Sequence, residues 1–244
     1  MKQNKYDDPS FFESYGKMQR SIDGLNAAGE WHVLQKMLPD FQNKKVLDLG
    51  CGYGLHCIYA KQKGAKNVIG IDLSQKMIDK AKEHSKNFEI EYKKMAIEDI
   101  NFDHEEFDVV ISSLAFHYLK DLRSVFMKIN QILKKGGSFV FSMEHPAFTS
   151  RAEQDWFKDE NGNRLHWPMD NYQEEGQRNT RFLGHEVTKY HRNLETIINT
   201  VIKSNFDIQQ ISEPKPSEEV LKIYPEMKDE MRRPIFIIIA AIKK

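Results

Sequence analysis

The run Val46-Leu47-Asp48-Leu49-Gly50-Cys51-Gly52-Tyr53-Gly54 sets a carboxylate two residues ahead of a glycine-rich turn. An apolar strand enters that turn, and a helical stretch from Leu55 to Lys63 leaves it. Glycines let the backbone bend sharply and come close to a bound molecule. Strand, glycine turn and helix together form the nucleotide-binding corner of a doubly wound α/β fold. A dinucleotide site uses G-x-G-x-x-G, with the pyrophosphate resting on the helix N-terminus. The spacing here is G-x-G-x-G, and Asp48 would repel a pyrophosphate in a poorly hydrated crevice. The acid suits a cationic ligand with an amino acid end. A second acid, Asp72, falls about twenty residues past the glycines, where dinucleotide folds hold a ribose. Histidine is the natural base near neutral pH. His117 and His145 follow the fourth and fifth strands, where reacting groups gather in an open α/β sheet. His191 is a third candidate for the pocket.

Regular elements must hold these groups. Leu25, Ala28, Trp31 and Leu38 keep roughly helical spacing and Pro39 stops them, so residues 1–40 read as an N-terminal helical cap. After the glycine turn come a strand Asn67–Asp72, a helix from Ser74 to about Ser85 with Ser74 as N-cap, and a strand Ile90–Lys93. A fourth strand, Phe107–Ser113, leads to a helix Leu122–Leu133 closed by Gly136-Gly137. Strands separated by helices imply a mostly parallel sheet covered on both faces. Over residues 146–185 the periodicity breaks down among Trp156, Phe157, Trp167, Tyr172 and Phe182, which predicts an inserted lid or small subdomain. Leu194, Ile197, Ile198, Val201 and Ile202 then mark a one-faced helix. Phe206–Glu213 and Pro234–Ile242 read as two last strands, with a short helix between them.

The nonapeptide resembles the first motif of the class I S-adenosylmethionine-dependent methyltransferases, and the likeness continues in order from Lys45 to Met143. Val68-Ile69-Gly70-Ile71-Asp72-Leu73-Ser74 is similar to their second strand, and Phe107-Asp108-Val109-Val110-Ile111-Ser112-Ser113 to their fourth. Leu133-Lys134-Lys135-Gly136-Gly137-Ser138-Phe139-Val140-Phe141 is similar to the turn and fifth strand. The resemblance implies a Rossmann-like α/β fold, doubly wound, with a mostly parallel seven-stranded sheet whose last strand is antiparallel, plus the inserted lid. It implies S-adenosyl-L-methionine as cofactor and S-adenosyl-L-homocysteine as product.

By the family's pattern Gly50, Cys51 and Gly52 bring main chain against the methionine part, and Asp48 holds its ammonium directly or through water. Asp72 accepts from both ribose hydroxyls, while Leu73 and Met77 pack on adenine. The family often has an acid at the start of the run that is Ala96-Ile97-Glu98-Asp99-Ile100 here, so that acid is missing. The amide of Ile97 can still bind the ring, and Glu98 is the candidate replacement acceptor. Ser14-Tyr15-Gly16-Lys17-Met18-Gln19-Arg20 resembles the segment closing over the cofactor, with Tyr15 as cover and Arg20 on the carboxylate. Ser112 is expected to turn a polar group toward the methyl. His117 and His145 are the expected catalytic bases.

Composition narrows the partners. With Lys+Arg and Asp+Glu both 36, formal net charge is +0, so no global field attracts a nucleic acid backbone. Hydrophobic residues at 40% supply one core for 244 residues. Cys51 and Cys57 fit neither a zinc site nor a disulfide framework, and no metal is expected. The N-terminus lacks the apolar core of a signal peptide and the longest apolar run is too short to cross a bilayer, which makes the cytoplasm the default. The chain looks most like the ubiquinone and menaquinone type, a branch with small-molecule acceptors, working as a monomer or homodimer. A non-catalytic S-adenosylmethionine-binding or RNA-modifying module is the alternative. A nicotinamide-dependent oxidoreductase is opposed by Asp48 and the glycine spacing.

Overall fold

Seven strands laid side by side define the molecule, which a computed structural model describes over residues 4–244. Five come first: β1 (Lys45–Leu49), β2 (Asn67–Asp72), β3 (Glu91–Lys94), β4 (Phe107–Ser113) and β5 (Leu133–Glu144). Four short strands form two separate hairpins, β6 (Phe157–Lys158) with β7 (Arg164–His166) and β8 (Gly176–Phe182) with β9 (His185–His191). Two more, β10 (Phe206–Ser212) and β11 (Phe236–Lys243), return to the main sheet. Its order is β10-β11-β5-β4-β1-β2-β3. The first five strands run parallel, and β11 is antiparallel to both β5 and β10.

The inner strands are buried in near-continuous runs because helices cover both faces, while the edge strands β3 and β10 are partly exposed. Ahead of β1 stand α1 (Pro9–Gly16), α2 (Gln19–Ile22) and α3 (Trp31–Met37). Trp31, Leu34 and Met37 of α3 pack on Val140, Ile238 and Ala240, so the N-terminal cap seals the β5/β11 side. The crossovers are α4 (Leu55–Gln62), α5 (Gln75–His84) and α6 (Leu122–Ile132). Then follow α7 (Pro146–Thr149), α8 (Leu194–Lys203) and α9 (Glu218–Ile223). Side chains cap several helices: Ser74 accepts the Met77 N–H at 3.2 Å and Asn193 that of Thr196 at 2.8 Å. On the α6/α8 face a phenylalanine cluster fills the core, with the Phe139 and Phe141 rings stacked at 4.9 Å.

Two expected boundaries shift. The helix after β4 ends at Ile132, and Leu133 already belongs to β5, pairing with Phe107. The glycine pair therefore bends a strand and does not close a helix. Leu133 is fully buried, which rewards strand pairing over another helical turn. The stretch without periodicity over 146–185 carries α7 and two hairpins, and β9 runs on to His191. Among the described residues no helix is long and apolar enough to cross a membrane.

At Gly70 on β2, a Cβ would lie 2.9 Å from Cys57 Sγ and from two carbons of the Tyr92 ring. Gly70→Ala is expected to destabilise the protein by about 1–3 kcal/mol through overpacking. A denaturant titration showing no loss would mean that the α4/β3 layer yields freely.

Candidate active site

The carboxyl ends of β1 and β4 frame a crevice where the strand order reverses. Above it lies a cavity of about 390 Å³, lined on its other sides by the N-terminal segment, the loop after β4 and the inserted β8/β9 hairpin. Gly50 makes the close approach possible. Its φ is +74°, and a Cβ there would sit 2.8 Å from Cβ of Ala115 on the facing loop. The Gly52 N–H donates to Asp72 Oδ2 at 3.0 Å, and the Ser74 N–H to Oδ1 at 2.9 Å. These bonds aim the Asp72 carboxylate at the cavity and leave lone pairs on both oxygens. Burial raises its pKa, against the backbone N–H groups of Ser74 and Gly52.

Of the residues the motifs nominate, Tyr15, Arg20, Gly50, Gly52, Asp72, Leu73, Met77, Ala96, Ile97, Glu98 and His117 line this one cavity. Cys51 lines a smaller recess beside the same turn, together with Arg20, Gly52 and Ser113. Four nominated groups lie elsewhere. Asp48 is in neither lining: it is 1% exposed, under the turn, where Cys57 Sγ donates to its Oδ2 at 3.3 Å. Its Oδ1 finds no partner among the described residues. Direct contact with a ligand in the cavity is therefore not made by this side chain as it stands. Burial pushes its pKa up to about 7.

Ser112 is fully buried and its hydroxyl donates to the Leu49 carbonyl at 2.8 Å, so the strand's alternation turns Ser113 to the cavity instead. His145 caps α7 by accepting the Ala147 N–H on Nδ1 at 3.0 Å, and its Nε2 meets Glu213 at 2.9 Å. Both nitrogens are engaged outside the cavity lining, which removes His145 as a base there. His191 is likewise held between Thr149 Oγ1 at 2.8 Å and the Tyr172 carbonyl at 2.9 Å.

His117 stays at the cavity in a changed role. Its Nδ1 accepts the Glu144 N–H at 3.4 Å, which assigns the proton of the neutral ring to Nε2. Burial lowers its pKa to about 4, against the pull of Glu144. With Nδ1 engaged, the neutral ring has its Nε2–H left to offer as a donor at the cavity wall.

Sequence reasoning missed the far half of the cavity. Glu144, Gln154 and Lys189 line it, from the end of β5, the loop before β6 and strand β9. Lys189 is 2% exposed and its Nζ lies 2.6 Å from Glu144 Oε1 and 3.1 Å from Gln154 Oε1. Burial would raise Glu144, but His117 and then Lys189 hold its pKa below the usual range. Phe148 and Phe182 flank the lysine at 5.9 and 5.5 Å from their ring centres. At the opposite end Arg20 pairs with Glu30 at 3.2 Å. Glu30 is 1% exposed, and its second oxygen has no partner among the described residues. No motif marked Glu30, Glu144 or Lys189; the sole hint was that Glu144 adjoins the nominated His145.

Leucine at position 114 adopts φ 54°, a left-handed conformation rare for a branched side chain, right at the cavity wall. Its N–H donates to the Ser142 carbonyl at 2.9 Å, which holds the bend.

A crevice of this kind, with a glycine turn on β1 and an acid ending β2, defines a nucleotide-handling α/β enzyme. The family described as methyltransferase domain matches residues 47–141. A putative S-adenosylmethionine-dependent methyltransferase from Listeria monocytogenes is similar in structure at TM-score 0.86, with 52% identity over 91% of this chain and 99% of that one. An S-adenosylmethionine-dependent methyltransferase from Mesorhizobium loti gives 0.84, with 38% identity over 90% and 100%. An uncharacterised protein of Haemophilus influenzae is 34% identical over 247 residues, 98% of this chain and 96% of that one. The chain belongs to the S-adenosylmethionine-dependent methyltransferases, is an enzyme of that class, and uses S-adenosylmethionine as its cofactor.

Asp48 gives a pH signature. Its pKa in the fold, about 7, lies above the unfolded value of about 4. The fold thus binds a proton that the unfolded chain has released, and stability falls as pH rises through that window. Asp48→Asn is expected to unfold at a higher temperature than wild type at pH 8, and at the same temperature at pH 4. An equal shift at both pH values would mean that the charge of Asp48 is not the cause.

Proposed function

We propose that the enzyme methylates a small-molecule acceptor held in the far half of the cavity, against Glu144, Lys189, Phe148 and Phe182. The observation that carries this reading is the character of that half. It is a concave chamber with aromatic walls and a few converging buried polar groups, the usual make-up of a small-ligand site. A formal net charge of +0 adds no general attraction for nucleic acid. Acceptors of the ubiquinone and menaquinone type, flat and partly apolar, fit such walls.

S-adenosylmethionine brings a methyl group already activated on a sulfonium sulfur. The protein's share is to align the acceptor, exclude water and handle a proton. Gly50 and Gly52 would take the amino acid part of the cofactor on their main chain. Asp72, with a free lone pair on each oxygen, would accept from two neighbouring ribose hydroxyls. Leu73 and Met77 would pack on adenine, with Ala96, the Ile97 amide and Glu98 at its edge. Arg20 would pair with the cofactor carboxylate, held in place by Glu30. Tyr15 would cover the site: it meets Tyr6 and Tyr53 edge-on at 5.3 and 5.6 Å.

Titration calorimetry with S-adenosylhomocysteine tests these roles. Hydrogen bonds to charged groups are worth about 1.5–3 kcal/mol, so Asp72→Ala and Arg20→Ala are each expected to weaken binding by about 10–100-fold. NAD is expected to give no heat. Unchanged affinity in Arg20→Ala would remove Arg20 from the site, and binding of NAD in place of the thioether would end the reading.

A further inference from the structure

We infer that the acceptor presents a hydroxyl group, phenolic or enolic in type, to a two-point site formed by Glu144 and His117. The inference rests on the small-molecule reading above and deepens it. Nε2 of His117 carries the ring proton and lies 3.9 Å from Glu144 Oε1, beyond hydrogen-bonding reach. On the carboxylate, Lys189 occupies one lone pair of Oε1 and the Gln154 side-chain amide, at 3.3 Å, one of Oε2. Lone pairs remain on both oxygens. A donor and an acceptor therefore stand side by side at the cavity wall without satisfying each other. Such nearly buried groups are costly unless a partner completes them.

A hydroxyl completes both at once. Its oxygen accepts from His117 Nε2–H, its proton goes toward Glu144, and a second lone pair stays free for the methyl carbon. An amine has one lone pair, which cannot both accept from His117 and attack carbon. An ether cannot donate to Glu144. The neighbouring walls, Phe148, Phe182, Tyr118 and Leu119, favour a flat apolar body behind the hydroxyl. Glu144, kept ionised beside Lys189, is a weak base, which selects an acidic hydroxyl over an alkanol. The step balances: the oxygen–methyl bond forms, the carbon–sulfur pair stays on sulfur as the thioether, and the hydroxyl proton passes to Glu144 and on to solvent.

Binding to the full chain saturated with S-adenosylhomocysteine tests this without turnover. The probes share one ring system: 2-naphthol, 2-methoxynaphthalene and 2-naphthylamine. Naphthol is expected to bind about tenfold tighter than the methoxy compound, from the one hydrogen bond to the Glu144 carboxylate that the ether cannot make, and tighter than the amine. The preference over the ether is expected to vanish in Glu144→Gln, and naphthol itself to bind several-fold more weakly in His117→Phe, while affinity for S-adenosylhomocysteine stays as in wild type. Glu144→Gln leaves Lys189 without its counter-charge; if it does not fold, the double variant Glu144→Gln/Lys189→Gln carries the same comparison. Equal binding of naphthol and its methyl ether, tighter binding of the amine, no binding of any probe, a preference over the ether that survives Glu144→Gln, or naphthol affinity unchanged in His117→Phe overturns the proposal. Failure of S-adenosylhomocysteine itself to bind would instead strike the cofactor-site reading.

Discussion

A buried ammonium requires a carboxylate within reach, and that requirement ties the inserted layer to the sheet. Lys189 on β9 is 2% exposed, and desolvating a lysine alone would be prohibitive. Glu144, where β5 leaves the sheet, meets it at 2.6 Å, and Gln154 bridges the two by bonding to both. Buried pairs of this sort add little net stability, yet they fix geometry because neither charge tolerates losing the other. This contact joins the bonds of His191, Arg178 and Arg192 in holding the hairpin over the cavity. The same contact favours the ionised form of Glu144, and through it the insertion contributes Lys189 to the cavity wall.

The two aspartates near the glycine turn show how position decides the role of identical chemistry. Asp72 ends its strand, receives two backbone N–H groups and keeps lone pairs toward the cavity. Asp48 sits inside its strand, opposite Gly70 and Ile111 in the flanking strands, with a thiol as its one hydrogen-bond donor. Desolvation wins there, and the carboxyl keeps its proton up to about pH 7. A motif fixes which residue types are present; the accessible surface decides which of them a ligand can meet.

Legibility in the sequence followed the same division. The strand–turn–helix corner, the acid ending β2 and the order of the central strands are local patterns, and each appears where its residues imply. The misses have physical causes. Ser112 and Ser113 are adjacent, and one step along a strand exchanges inward and outward faces, which a motif alone cannot phase. His145 and His191 found hydrogen-bond partners in Glu213, Thr149 and the Tyr172 carbonyl, 68, 42 and 19 residues away in sequence. Glu144 and Lys189, 45 residues apart, form a pair that no spacing rule announces. Leu133 looked like the end of a helix because its pairing with Phe107 lies outside the local window.

The topology explains why these long-range contributions converge. From β1 the chain winds outward through β2 to β3, then crosses back to lay β4 on the other side of β1 and continue to β5. The cavity straddles that reversal. The proposed cofactor groups come from the N-terminal segment, the ends of β1 and β2 and the turn after β3. The proposed acceptor groups come from the ends of β4 and β5 and from the insertion that follows them. The seam between the halves is the loop at Leu114 and Ala115, strained at Leu114 and packed through Ala115 against Gly50. In the proposed arrangement the methyl group crosses at that seam, where a side chain at position 50 would meet Ala115. Variation in the insertion can then change the acceptor while leaving the cofactor end untouched.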